Sequence, residues 1–249
     1  MANPYPFAGK VALITGSSKG IGAATALHLS SLGAKVVINY SSDAKPAEEL
    51  IQKIGSENAI AIKADVGNIK EIEGLVQQTV DKWGKIDILI PNAGVLPMKD
   101  LESTTEEDWE RCFRVNVKGV YFLCQKALPH LPPHSSIILL SSSTTILSQI
   151  TPSYLLYCSS KGAIEQMARI LAKDLGRRGV TVNAIAPGPT GTELFYKGKS
   201  EELLETIKGW NPFGRLGTPE EIAAAVGFLA GEGGRWVSGQ VIRVNGGMA

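Results

Sequence analysis

Short apolar runs rich in β-branched residues alternate with helix-patterned stretches along this chain, and that alternation restricts its fold more than any other feature. The runs predict strands at residues 11–15, 35–39, 59–63, 86–91, 136–141, 180–185 and 240–244. The stretches between them predict helices near 20–32, 44–55, 68–83, 105–131, 153–177 and 219–230. Strict alternation demands right-handed crossovers, which lay the strands parallel and cover both sheet faces with helices. The expected class is α/β, with a doubly wound parallel sheet built from these seven runs. At 249 residues, 44% of them hydrophobic, the chain has the size of one large domain with a sizeable core, so residues 1–249 are read as a single domain. The longest irregular stretch falls at about 188–217.

The first apolar run leads into Thr15-Gly16-Ser17-Ser18-Lys19-Gly20-Ile21-Gly22, and an amphipathic stretch follows. Strand, glycine turn and helix in that order set backbone N–H groups and a positive helix end against a pyrophosphate. Glycine is required because a β-carbon would hold the backbone away from the phosphates. The spacing Gly-x-x-x-Gly-x-Gly differs from the usual Gly-x-Gly-x-x-Gly fingerprint.

Tyr157 and Lys161 lie four residues apart in a helical stretch, which places a phenol beside an ammonium on one face. A free phenol has a pKa of about 10, and a neighbouring cation favours its ionised form. Such a pair suits proton transfer. Tyr154 is seven residues from Lys161, so only Tyr157 stands one turn away.

Taken with Asp65-Val66, Asn92-Ala93-Gly94, Asn116, the serines 141–143 and Pro187-Gly188 with Thr192, these motifs resemble the short-chain dehydrogenase/reductase family over nearly the whole chain. The likeness is greatest to NADPH-dependent carbonyl reductases of the ketoacyl-reductase and fungal naphthol-reductase kind. It implies a Rossmann-type fold and hydride transfer between a nicotinamide cofactor and a ketone or secondary alcohol. In such enzymes the tyrosine is the general acid and base, which falls on Tyr157. Lys161 takes the lysine that lowers the phenol pKa and holds the ribose hydroxyls. Ser142 takes the serine that hydrogen-bonds the substrate oxygen, with Ser143 and Thr144 also candidates because the spacing to Tyr157 is long. Unless the strand has already ended, alternation points Ser141 and Ser143 away from the face Ser142 uses. Asn116 matches the asparagine that supports a water path to the lysine.

The resemblance also implies the cofactor contacts. Gly16, Ser18, Gly20, Ile21 and Gly22 would meet the pyrophosphate, Asp65 and Val66 the adenine, and Asn92, Ala93 and Gly94 the adenosine ribose. Pro91 departs from the second asparagine common in relatives. Pro187, Gly188 and Thr192 would face the nicotinamide carboxamide, with Tyr157 and Lys161 beside its ribose. Enzymes selective for NAD place an acid at the end of the second strand. Here Tyr40 stands there, followed by Ser41 and Ser42, and Lys19 adds a cation, so NADP(H) is expected over NAD(H). Asp43 is read as the cap of the next helix. Alternatives are an NAD-dependent alcohol or sugar dehydrogenase and a catalytically silent nucleotide-binding regulator.

A formal charge of +1 offers no electrostatic case for nucleic acid or an anionic membrane. The start Met1-Ala2-Asn3-Pro4-Tyr5-Pro6 has neither basic nor apolar leader character, no run is long enough for a membrane span, and three unpaired cysteines, Cys112, Cys124 and Cys158, read as buried reduced thiols. A cytoplasmic protein is expected. His28, His130 and His134 stand apart from other ligands, so no metal site is expected. Thr105 with Asp108 and Thr218 with Glu221 read as helix caps. Trp83, Trp109 and Trp236 read as packing. Leu194, Phe195, Tyr196, Trp210 and Phe213 make the 188–217 stretch a candidate lid that favours an apolar or aromatic substrate. Surplus apolar positions at 109–131, around Tyr157 and at 236–248 suggest an interface, and the family implies a homotetramer.

Overall fold

The computed structural model describes residues 5–249, so residues 1–4 of the leader reading lie outside the described residues. The predicted runs form β1 (Val11–Ile14), β2 (Lys35–Tyr40), β3 (Ala59–Lys63), β4 (Ile88–Ile90), β5 (Ser136–Leu140), β6 (Thr181–Pro187) and β7 (Val241–Val244). All are parallel, in the order β3-β2-β1-β4-β5-β6-β7. The order reverses between β1 and β4, which opens a crevice beyond the carboxyl ends of the strands.

Alternating side chains divide the core. Leu13, paired with Val37 and Leu89, faces α3 (Ile69–Trp83), α5 (Val120–Ala127) and α6 (Leu155–Leu175). Ile14, paired with Ile38 and Ile90, faces α1 (Gly20–Ser31), α2 (Lys45–Ile54) and α9 (Pro219–Ala230). Both layers are dry: Leu13, Ile14, Val37, Ile38 and Leu89 are fully buried. Truncating such a leucine to alanine costs about 2–5 kcal/mol.

Three local departures bear on function. The predicted helix 105–131 is broken into α4 (Glu106–Phe113), a π-helical turn at Arg114–Gly119, and α5. π-Turns appear where a side chain or a close approach disturbs the α-helical ladder. Here Asn116 bonds outward to Val95, and a β-carbon on Gly119 would collide with the Val66 carbonyl oxygen. Second, the stretch 188–217 is not irregular throughout, because α7 (Glu193–Tyr196) and α8 (Glu201–Gly209) form in it. Thr192 and Ser200 cap them by accepting from Phe195 N and Leu203 N, a signal the sequence carried unread. Third, Trp236 does not pack within the chain but is fully exposed, and Cys158 is only half-buried.

The expected caps form. Thr105 and Asp108 make a capping box at α4, as do Thr218 and Glu221 at α9. Asp43 accepts from Lys45 N at 3.1 Å at the start of α2. A two-pronged Arg215–Glu221 contact of 2.9 and 2.6 Å ties the end of the 188–217 stretch to α9 and holds the Glu221 carboxyl down at about 2. Among the described residues, no helix is long and apolar enough to cross a membrane.

Candidate active site

Gly16 and Gly20 adopt φ of 60° and 56°, backbone that side chains resist, and so turn β1 sharply into α1. A β-carbon on Gly22 would lie 2.6 Å from Asn92 Nδ2 and 2.7 Å from Gly16 O, so this approach admits nothing larger than glycine. Lys19, the N-cap of α1, brings no side-chain acceptor to the helix start, which leaves those N–H groups for an anion. Asn39 braces the turn from beneath. It accepts from Gly16 N at 3.0 Å and donates to Ile62 O and Ala64 O at 3.2 and 3.1 Å. Sequence reasoning passed over Asn39, although a buried amide inside an apolar strand is itself a signal. Asn92 turns its amide onto the same loop, donating to Thr15 O at 2.8 Å and Gly16 O at 3.1 Å.

Tyr157 and Lys161 project from α6 toward the end of β5. Among the three serines there, Ser141 Oγ points to α6 and bonds Glu165 Oε1 at 2.9 Å. Ser143 Oγ points to β6 and donates to Ala186 O at 2.9 Å. Ser142 lines the crevice together with Tyr157, and its Oγ accepts from Thr144 Oγ1 at 2.9 Å. The ladder has ended at Leu140, so the three serines diverge within the turn that follows rather than by strand alternation.

Burial reverses one electrostatic expectation. It pushes the Tyr157 phenol above its ordinary value, and the neighbouring Ser142 side chain only partly offsets this. Burial also lowers the Lys161 ammonium to about 8. Lys161 Nζ stands 5.7 Å from the phenol ring centre and donates to Leu140 O at 2.7 Å, so its charge does not lower the phenol as expected. Asn116, fully buried, lies behind this wall. Its side chain accepts from Val95 N at 2.8 Å and donates to Val95 O at 2.9 Å and Ser160 Oγ at 3.0 Å.

A cleft of about 840 Å³ joins the two regions. Its walls include Gly16, Lys19, Gly20, Ile21, Ser41, Asp65, Val66, Asn92, Ala93, Gly94, Ser142, Ser143, Thr144, Tyr157, Lys161, Pro187, Gly188 and Thr192. Ser18, Gly22, Tyr40, Ser42 and Asn116 stand outside the lining, and Tyr40 packs on the apolar layer beneath. Asp65 is already engaged, with Arg114 Nη1 at 3.1 Å and Gly67 N at 2.8 Å. Lys19 reaches across the cleft mouth to Glu193 Oε2 at 2.9 Å, which raises its pKa. The lining also holds Leu96, Leu147, Tyr154, Leu194 and Trp210, interleaved with Gln149, Ser153, Lys197 and Lys199. The fit to a dinucleotide is good: glycines open one end where β-carbons would intrude, and Gly94 exposes its backbone to the Lys161 ammonium at the other.

The family described as enoyl-(acyl carrier protein) reductase matches residues 16–249. A short chain dehydrogenase, mdpC, of Emericella nidulans is 43% identical over 99% of this chain and 97% of its own length. A probable tetrahydroxynaphthalene reductase of Zymoseptoria tritici is 41% identical over 96% of this chain and 94% of its own. A short chain dehydrogenase of Burkholderia cenocepacia, solved in complex with NADP, matches with a TM-score of 0.92 at 32% identity, over 98% of this chain and 99% of that one.

Proposed function

Because this chain belongs to the short-chain dehydrogenase/reductase family of oxidoreductases, we propose that it reduces a ketone to a secondary alcohol with NADPH, with Tyr157 as the general acid. The observation that carries this reading is one cleft whose walls bring Ser142, Tyr157 and Lys161 together with the glycine turn. Bound NADPH would supply the hydride. Ser142 and Tyr157 would both donate to the carbonyl oxygen, and Tyr157 would hand its proton to that oxygen as negative charge develops there. A phenol raised by burial stays protonated across the neutral range, which suits an acid in the reductive direction. Lys161 would hold ribose hydroxyls, and Asn116 would keep the Val95 segment in place behind it.

For the cofactor, Gly16, Ser18, Gly20, Ile21 and Gly22 would take the pyrophosphate, Asp65 and Val66 the adenine, Asn92, Ala93 and Gly94 the adenosine ribose, and Pro187, Gly188 and Thr192 the carboxamide. Preference for NADPH is supported by Tyr40 in place of an acid at the end of β2, and by Lys19 in the cleft wall. Lys19 would exchange Glu193 for the 2′-phosphate, aided by Ser41 and Ser42. Leu147, Tyr154, Leu194, Phe195 and Trp210 in the lining support an apolar or aromatic substrate, with the 188–217 segment as its lid. The single sheet supports one domain over residues 1–249, and the three free cysteines support a reducing, cytoplasmic setting. Exposed Trp109 and Tyr121 on one side and Phe228 and Trp236 on another support a homotetramer.

A panel of aliphatic and aromatic carbonyls, assayed with NADPH and NADH by loss of nicotinamide absorbance, tests this reading. Turnover of apolar ketones with NADPH is expected. Preference for NADH would replace it with an NAD-linked alcohol or sugar dehydrogenase, and turnover of nothing would favour a silent nucleotide-binding regulator.

A further inference from the structure

The reading above leaves Glu165 without a task. It follows Lys161 by one turn of α6 and Tyr157 by two, so the three share a helix face. Its Oε1 accepts from Ser141 Oγ at 2.9 Å and from Thr145 Oγ1 at 2.8 Å, and the side chain is half-buried. Those two hydroxyls bracket the turn that contains Ser142. Thr145 Oγ1 also donates to the Ser142 carbonyl at 2.9 Å, so the carboxylate and Ser142 share one donor.

The turn has two sets of side-chain ties. Ser143 fastens it to β6 and, through Asn245 Nδ2 at 3.1 Å, to the segment after β7. Glu165 fastens it to α6, where Cys158 Sγ also donates weakly to Thr144 O at 3.4 Å. Tyr157 and Lys161 ride on α6, so the second set relates Ser142 to the helix that carries the phenol. From these contacts we infer that Glu165 is a positioning residue: its carboxylate clamps the Ser142 turn to the helix that carries Tyr157 and Lys161. The clamp sets the separation of the two hydroxyls that meet the carbonyl oxygen, and so rests on the roles proposed for Ser142 and Tyr157. A carboxylate oxygen can accept two hydroxyls, and so can the carbonyl oxygen of a glutamine, whereas alanine accepts none.

The test uses the full chain with Glu165→Ala, Glu165→Gln, Ser142→Ala and the Ser142→Ala/Glu165→Ala pair. Kcat, NADPH affinity by fluorescence and backbone hydrogen exchange at residues 142–146 are measured. Glu165→Ala should lower kcat about ten- to a hundred-fold, because small misplacements of reacting groups carry losses of that order. NADPH affinity should hold within about two-fold, and in the Ser142→Ala background the further kcat loss should shrink to about three-fold or less. Exchange at 142–146 should quicken in Glu165→Ala, and Glu165→Gln should recover most of both properties. Should Glu165→Ala fail to fold, Ser141→Ala/Thr145→Val removes the same contacts from the other side and should reproduce the kcat loss. Wild-type kcat and exchange in Glu165→Ala, beside a damaged Ser142→Ala, would overturn the clamp alone. A loss that multiplies in full with that of Ser142→Ala would also overturn it. Undiminished kcat in Ser142→Ala would instead overturn the role of Ser142, and the inference with it.

Discussion

Replacing Asn116 by alanine should damage stability and turnover together. The side chain lies inside the π-helical turn with no solvent exposure, and it is the hydrogen-bond partner of both main-chain groups of Val95. Alanine strands that N–H and that carbonyl in a partly buried segment. Each such orphan costs about 1–3 kcal/mol. Partial access of water to Val95 places the sum at about 2–4 kcal/mol, which for a chain of this size lowers Tm by roughly 4–16 °C. Gly94, next in the chain, is close enough to Lys161 that a β-carbon there would lie 3.6 Å from Nζ and 3.3 Å from Asn116 Oδ1. Loosening Val95 therefore loosens the wall against the ammonium, and turnover should fall about ten-fold or more. Thermal unfolding followed by circular dichroism, with steady-state rates on the same samples, measures both effects. Asn116→Asp sharpens the test, since it keeps the shape but faces an acceptor toward Val95 O. An Asn116→Ala protein that melts within a degree of wild type and turns over normally would refute the reasoning.

The lowered Lys161 ammonium gives a pH prediction: it is charged below about 8 and neutral above, so kcat/KM for NADPH should fall as pH rises through that value. The raised phenol of Tyr157 stays protonated there, and a profile flat to pH 10 would contradict the assignment. Lys19→Ala should weaken NADPH binding several-fold more than NADH binding, and Tyr40→Asp should move kcat/KM toward NADH; equal losses for both cofactors in Lys19→Ala would remove the 2′-phosphate role. Light scattering at micromolar concentration should report an oligomer, and Trp236→Glu, placed on a fully exposed side chain, should shift it toward smaller species without unfolding the chain.

Local patterns in the sequence were enough to read the sheet. Each strand is a short, nearly continuous apolar run rich in β-branched residues, the pattern of a parallel strand buried on both faces. Less legible were features whose partners lie far along the chain. The π-turn depends on Asn116 meeting Val95, and the brace under the glycine turn on Asn39 meeting Gly16. Glu165 reads as an ordinary helical glutamate until the 141–145 turn folds against it. Burial was equally invisible: a phenol beside a lysine suggests a lowered pKa, but desolvation of both groups outweighs their proximity. Trp236 misled because a tryptophan read as packing needs a partner surface, and among the described residues it is fully exposed.

The central claim is that Tyr157 supplies the proton to a ketone reduced with NADPH, and Tyr157→Phe tests it most directly. Phenylalanine keeps the ring, its edge-to-face contact with Tyr154 at 6.5 Å and the packing of α6, while deleting the hydroxyl. Turnover of an apolar ketone should fall about 10²–10⁴-fold, the usual contribution of a positioned acid, with NADPH affinity nearly unchanged. A Tyr157→Phe enzyme that reduces the ketone at near wild-type rate would contradict the account.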